Sequence, residues 1–189
     1  MRVGVDIDNV INNLSPLLER SVKKHFGNKW TLWDIYQRYH LRDALRLSVW
    51  EELWFWKKFG LEIAFHSKPQ PYCREALHWL RRNGCRIYLI TARPIIMKPM
   101  TLAWLEQHDV PYDKVIFGAS EKGKICRENG IAVMVEDSDK NIKNLLQHGV
   151  TTIAIPYPYN SHFRSQNLFY LADWRAIANL ILQMRFRGA

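Results

Sequence analysis

Residues 2–8 read Arg2-Val3-Gly4-Val5-Asp6-Ile7-Asp8, a short apolar run that passes straight into two acids. Such a run is too short for a buried helix and suits a strand covered on both faces, with the acids at its carboxyl end. Four more runs follow the same plan: Arg86 to Thr91 (RIYLIT), Lys114 to Gly118 (KVIFG), Ala132 to Glu136 (AVMVE) and Thr151 to Ile155 (TTIAI). Helical patterns alternate with them, at Pro71 to Asn83, Lys98 to His108, Lys124 to Asn129 and Asn141 to His148, and Trp174, Ile177, Ala178 and Ile181 mark a terminal helix. Gly84 and Gly130 stand where two of these helices should stop. Strands alternating with helices predict an α/β fold, a Rossmann-like parallel sheet sandwiched by helices.

Residues 13–67 break that rhythm. They hold no convincing buried strand but carry Trp30, Trp33, Trp50, Trp54 and Trp56, five of the eight tryptophans. Helices are expected over Ser15 to Phe26, with Pro16 in the favoured first turn, Leu32 to Tyr39 and Ser48 to Phe59. The chain thus divides into an α/β core of residues 1–12 and 68–189 and a small helical cap of 13–67, inserted after the first strand. Within the cap, Trp50, Leu53 and Trp54 recur at helical spacing, which places them in its core.

Composition narrows the function classes. At 189 residues, 48% hydrophobic and 24% charged, the chain can bury a substantial core. No apolar run approaches the ~20 residues that span a bilayer, and acids appear within the first ten positions, so a cytoplasmic protein is expected. Cys73, Cys85 and Cys126 form no C-x-x-C pair, and the seven histidines form no H-x-H or H-x-x-x-H pair, which argues against a disulfide framework and a zinc centre. The net charge of +9 favours anionic ligands, but the basic residues are scattered, so nucleic acid is not the favoured partner.

Four fragments fall at predicted strand ends, where open α/β sheets place their ligands. Asp6 and Asp8 alternate out of the first strand, as one nucleophile and one proton-transfer group require. Thr91-Ala92-Arg93 offers a hydroxyl followed by backbone N–H groups at a turn, suited to phosphate oxygens. Lys122 or Lys124 brings an ammonium to the start of a short helix, and Glu136-Asp137-Ser138-Asp139 supplies the hard oxygen donors Mg²⁺ prefers. A phosphate ester is a dianion that repels a carboxylate nucleophile, so a metal, a lysine and aligned N–H donors are the groups its hydrolysis needs.

The order of these fragments, DIDNV…ITARP…EKGK…VEDSDKN, resembles the haloacid dehalogenase-like hydrolases over roughly residues 1–12 and 68–160. Within them it looks most like the 5′(3′)-deoxyribonucleotidase group and its bacterial relatives. The resemblance implies a Mg²⁺-dependent phosphomonoester hydrolase. Asp6 would attack phosphorus to give an aspartyl-phosphate, and Asp8 would protonate the leaving oxygen and then activate water. Thr91 would bind the phosphoryl oxygens with its neighbours Ala92 and Arg93, and the lysine of the third motif falls best on Lys122. Mg²⁺ would lie between Asp6, the Asp8 carbonyl and Asp137, with Glu136 or Asp139 reaching it through water. Two positions depart from the family pattern: Asn9 stands where glycine is usual, and Glu136 where a first aspartate is.

The expected substrate is a small phosphorylated molecule, a nucleotide by this resemblance, with no membrane partner. Two other readings stay open on the sequence: a phosphatase acting on nucleic-acid ends, and a non-catalytic, receiver-like phosphate-binding module. A receiver has no need of a large cap, whereas this chain devotes about 55 residues to one.

Overall fold

The computed structural model describes residues 1–187. Its centre is a six-stranded sheet of β1 (Arg2–Val5), β4 (Arg86–Ile90), β5 (Lys114–Ile116), β6 (Val133–Glu136), β7 (Thr151–Ala154) and β8 (Leu168–Tyr170), arranged β5-β4-β1-β6-β7-β8 with every neighbouring pair parallel. β1 lies at the middle, so Val3 and Val5 are wholly buried. Each aliphatic residue of this kind contributes about 1.5–3 kcal/mol through the surface it removes from water. The sixth strand was not expected, because Leu168–Tyr170 is a three-residue edge strand at the end of a loop.

Helices cover both faces. Val3, Val5, Ile87, Leu89, Val133, Val135 and Ile153 pack under α5 (Cys73–Arg82) and α9 (Trp174–Arg187), with Trp104 and Leu105 of α6 (Lys98–Gln107) closing the same cluster. On the other face Ile90, Ile131 and Met134 meet Cys126 of α7 (Lys122–Glu128) and Leu145 of α8 (Asp139–Gln147). Gly4 permits this closeness, since a Cβ there would sit 2.6 Å from the Met134 sulfur. All three cysteines are buried and free. Among the described residues no helix is long and apolar enough to cross a membrane.

The segment between β1 and β4 contains α1 (Ser15–Phe26), α2 (Leu32–Ile35), α3 (Leu41–Leu45) and α4 (Val49–His66). β2 (Asn12–Asn13) and β3 (Lys68–Pro69) pair antiparallel and so bring the two ends of the helical segment together. The helices share their own apolar cluster, including Leu14, Leu18, Val22, Ile35, Phe55, Phe59 and Ile63. Ser48 caps α4 in a reciprocal box with Glu51, and the helix runs through Gly60 to His66, beyond the Phe59 limit expected from sequence. α2 is shorter than expected, giving way after Ile35.

The phase of α4 corrects one expectation. Phe55, Phe59 and Ile63 are the buried stripe, while Trp50, Leu53 and Trp54 are 75%, 54% and 62% exposed. Both stripes have helical spacing, but Lys57 and Lys58 interrupt the outer one, and the uninterrupted stripe faces the cluster.

Candidate active site

All the strand-end fragments come together at the carboxyl edge of the sheet. β1 pairs with β4 on one side and β6 on the other, so the tips carrying Asp6, Thr91 and Glu136 are neighbours in space although 85 and 130 positions separate the outer two from Asp6 in the chain. The Asp6 N–H donates to Val135 O at 3.0 Å, which continues the ladder to the residue that bears the carboxylate.

Lys122 is fully buried between two acids, with Nζ 2.7 Å from Asp6 Oδ1 and 2.8 Å from Glu136 Oε2. It is the first residue of α7, whereas Lys124 is exposed on the outer side of that helix. Gly123 allows the approach: its N–H donates to Asn144 Oδ1 at 2.7 Å, and a Cβ would lie 2.6 Å from the Asn144 carbonyl. Glu136 uses its other oxygen, Oε1, to accept the N–H groups of Asp137 and Ser138 at 3.1 and 3.0 Å.

Asp6, Glu136 and Asp137 offer carboxylate oxygens that lie within 4.8 Å of one another, all buried. Asp139 heads α8, where Oδ1 accepts its neighbour's N–H, and is not in that group. Burial raises the Asp6 carboxyl to about 7, reinforced by Glu136 and Asp8 and opposed by Lys122. Asp137 is raised for the same reasons, burial first and then the Glu136 and Asp6 charges. Burial works against the Lys122 ammonium, but the two acids outweigh it and raise its pKa. Counting Asp8 and Arg93, the four carboxyls when ionised face two cations and fall two positive charges short, which is why Asp6 and Asp137 are raised. Hard oxygen donors, buried and short of positive charge, fit a divalent cation. Asp6 Oδ2 and Asp137 Oδ1 have no hydrogen-bond partner among the described residues.

Asp8 lies past the end of β1 and lines the same cleft as Asp6, so the two acids do not point apart as the alternation predicts, but Asp8 has partners of its own. Arg93 grips it with two bonds, Nε to Oδ2 at 2.9 Å and Nη2 to Oδ1 at 2.6 Å, and Asn12 Nδ2 donates to Oδ1 at 3.2 Å. Burial alone would raise this carboxyl, but the Arg93 charge and hydrogen bonds prevail and hold it below its ordinary value. The Arg93 guanidinium, at the edge of the cleft, is therefore already engaged by Asp8 and by Thr101 Oγ1. The Arg93 N–H turns back to Thr91 Oγ1 at 3.1 Å, and Thr91 N–H goes to Ile116 O, so of the backbone N–H donors at this turn Ala92 N–H alone has no partner among the described residues. Asn9 adopts φ +59°, the left-handed backbone that glycine usually supplies.

Sequence reasoning gave the loop after β7 no role, yet two of its residues reach Asp137. Tyr159 Oη donates to Asp137 Oδ2 at 2.5 Å, and Asn160 Nδ2 donates to Asp137 O at 2.6 Å. The signal available was strand order, since β7 neighbours β6 and the loops leaving both must lie side by side.

Asp6, Asp8, Ala92, Arg93, Asp137 and Tyr159 form the floor of a cleft of about 690 Å³ roofed by α1, α2 and α4. Its upper wall includes Leu18, Tyr39, His40, Glu52, Trp56 and Leu61. Thr91 and Lys122 sit fully buried beneath this lining.

This geometry has relatives. A nucleotidase of Clostridium acetobutylicum is 22% identical over 182 residues, covering 96% of this chain and 93% of its own. A HAD family hydrolase of Deinococcus radiodurans R1, with bound phosphate and sodium, superposes at a TM-score of 0.70 with 14% identity, covering 96% of this chain and 95% of that one. Residues 1–187 match the family described as 5′ nucleotidase, deoxy (Pyrimidine), cytosolic type C protein. On that match the chain belongs to this family of haloacid dehalogenase-like hydrolases and is a phosphoric monoester hydrolase.

Proposed function

We propose that the chain is a Mg²⁺-dependent 5′-nucleotidase of the cytoplasm that works through an aspartyl-phosphate on Asp6, with residues 13–67 acting as a cap over a core of 1–12 and 68–189. The observation that carries this reading is the meeting of Asp6, Glu136 and Asp137 around one space, with Lys122 behind them and Asp8 beside it, under a roofed cleft. Asp6, Asp137 and the main-chain oxygen of Asp8 would hold Mg²⁺, which when bound supplies positive charge to the phosphoryl oxygens.

The protein's own groups account for the rest. An Asp6 oxygen attacks phosphorus, the bond from phosphorus to the ester oxygen breaks, and that oxygen leaves as an alcohol with a proton from Asp8. Asp8, now ionised, takes a proton from water as the water oxygen attacks phosphorus. The Asp6–phosphorus bond breaks and inorganic phosphate leaves. Asp8 therefore needs opposite protonation states in the two steps. Its pair with Arg93 favours the ionised, proton-accepting form. A phosphate dianion arriving beside them competes for the guanidinium and raises the carboxyl, which favours the proton-donating form. Thr91 Oγ1 accepts the Arg93 N–H and keeps its own proton for a phosphoryl oxygen, alongside Ala92 N–H. Lys122 steadies the Asp6 carboxylate against the repulsion of Glu136.

Nucleotide preference rests on the family match and on the aromatic roof. Tyr39 and Trp56 are partly exposed in the cleft, and stacking of a base on such a ring contributes about 1–3 kcal/mol. The roof also favours hydrolysis over a receiver-like role, since it can exclude bulk water during attack. The test is a panel of nucleotides, sugar phosphates and an aryl phosphate, assayed for phosphate release with and without Mg²⁺ beside Asp6→Asn. Activity is expected on nucleotides, with loss in chelator and in the variant. Metal-dependent release by Asp6→Asn would overturn the nucleophile, and equal rates on nucleotides and sugar phosphates would overturn base recognition.

A further inference from the structure

Three tyrosines stand between the helical insert and the two acid-bearing loops. Tyr36 closes α2, and Tyr157 and Tyr159 lie in the loop after β7. Their rings pack together: Tyr157 stacks on Tyr159 at 5.2 Å and 7°, and Tyr36 lies 4.8 Å from Tyr157 and 6.1 Å from Tyr159. Tyr36 and Tyr159 are buried members of the insert's own apolar cluster, with Tyr157 packed against it.

The hydroxyls leave this cluster in the direction of the catalytic loops. Tyr36 Oη donates to Asn9 Oδ1 at 3.3 Å, Tyr157 Oη to Asn9 O at 3.4 Å, and Tyr159 Oη to Asp137 Oδ2 at 2.5 Å. Asn160 adds a second hold on the same residue, from Nδ2 to Asp137 O at 2.6 Å and to Ile155 O at 2.9 Å, while its Oδ1 accepts the Tyr157 N–H at 3.0 Å. Asp137 is thus fixed at both ends, carboxylate and carbonyl, by consecutive residues of one loop.

We propose that Tyr159, supported by Asn160, is a positioning residue that orients the Asp137 carboxylate for a divalent cation and ties that orientation to the packing of the helical insert. The inference rests on the reading of Asp6 and Asp137 as ligands of one cation. A carboxylate beside two others has electrostatic reason to rotate away from them. The Tyr159 hydroxyl takes Oδ2, which leaves Oδ1 as the donor turned to the shared space. Because the ring belongs to the insert's cluster, a displacement of the insert moves the hydroxyl and with it the cation ligand. The roof and the metal site are then one mechanical unit, with Tyr159 as the link that reaches Asp137.

The experiment is Mg²⁺ titration calorimetry on the full chain, for wild type, Tyr159→Phe, Asn160→Ser and Asp137→Asn, with thermal melts in chelator alongside. Tyr159→Phe keeps the ring and removes the donor. Its Mg²⁺ dissociation constant is expected to rise about 10–100-fold, the usual consequence of losing a partner behind a ligand. Its melting point in chelator should stay close to wild type. Should Tyr159→Phe fail to fold, Asn160→Ser must show the same loss of affinity. Wild-type affinity in either folded variant, with binding abolished in Asp137→Asn, overturns the positioning role and leaves the cation site standing. Absence of Mg²⁺ binding in wild type overturns the cation site itself.

Discussion

Replacing Lys122 with Met tests the electrostatic argument at its centre. The ammonium lies 2.7 Å from one carboxylate oxygen and 2.8 Å from another, wholly out of water. At an effective dielectric of about 20 each contact is worth about 6 kcal/mol in attraction, set against several kcal/mol to strip the ammonium of water. Methionine fills a similar volume without the charge, and leaves Asp6, Glu136 and Asp137 within 4.8 Å of one another with no cation. Removing one partner of a buried pair costs about 3–5 kcal/mol. For a chain of this size that is a fall in melting temperature of roughly 6–20 °C in chelator. The pH dependence follows in sign. Asp6 already sits at about 7, above its ordinary 3.8, and Lys122 is what holds it down. Without the lysine the carboxyl rises further, and a group raised in the folded state withdraws stability as pH climbs through its folded value. The deficit should therefore be small at pH 5 and large at pH 8, and Mg²⁺ should recover part of it by restoring positive charge. Differential scanning calorimetry at both pH values, with and without Mg²⁺, reads all of this. A chelated variant that melts within a degree of wild type at pH 8 would refute the claim that the lysine neutralises the cluster.

Two further outcomes follow from the geometry. Phe55→Ala should lose about 3–5 kcal/mol in urea unfolding, because the ring is wholly buried, whereas Trp54→Gln one position earlier should stay within about 0.5 kcal/mol; similar losses in both would contradict the phase of α4. Arg93→Met removes the cation that holds Asp8 below its ordinary value, so the basic limb of kcat/KM against pH, where Asp8 loses the proton it gives to the leaving oxygen, should move upward. Asp8 is 35% exposed and its interactions are partly screened, so the stability cost is about 1.5–3 kcal/mol, present at neutral pH and fading as the pH drops below 3.8; a pH profile unchanged from wild type would rule out the pair as the influence on Asp8.

The parts of the fold and site visible in the sequence share one cause. Apolar runs ending in Asp6, Thr91 and Glu136 are strands because nothing else buries them, and parallel strands must end on the same side. Lys122 and Lys124 still compete on sequence, and it is the structure that buries the first between two acids and exposes the second. What escaped was whatever depends on facing rather than succession. α4 carries apolar residues around most of its circumference, so spacing alone admits two stripes, and only the contact with α1 and α3 selects Phe55, Phe59 and Ile63. The grip of Arg93 on Asp8 spans 85 positions and arises from the pairing of β1 with β4. Tyr159 and Asn160 lie in a Pro- and Tyr-rich turn that reads as a simple surface loop until the neighbouring strand is known.

The two departures from the family pattern have structural answers in the same loops. Glutamate at position 136 has one methylene more than aspartate, and that length serves two directions at once. Oε1 folds back to cap the N–H groups of Asp137 and Ser138, while Oε2 meets Lys122. Both oxygens are spent on the protein, so Glu136 acts as the fixed counter-charge of the lysine, and the free oxygens of the cluster belong to Asp6 and Asp137. Asn9, held in a left-handed conformation that costs a non-glycine residue about 1–3 kcal/mol, meets a similar set of restraints. Its N–H donates to Asn12 Oδ1, its Oδ1 accepts from Tyr36 and its carbonyl from Tyr157. Asparagine is among the residues that tolerate this backbone best, and here its side chain also provides the contact that a glycine would lack. The substitution that burdens the loop is thus the one that ties it to the insert, which places the backbone of Asp8 and the hydroxyl on Asp137 under the control of the same three rings.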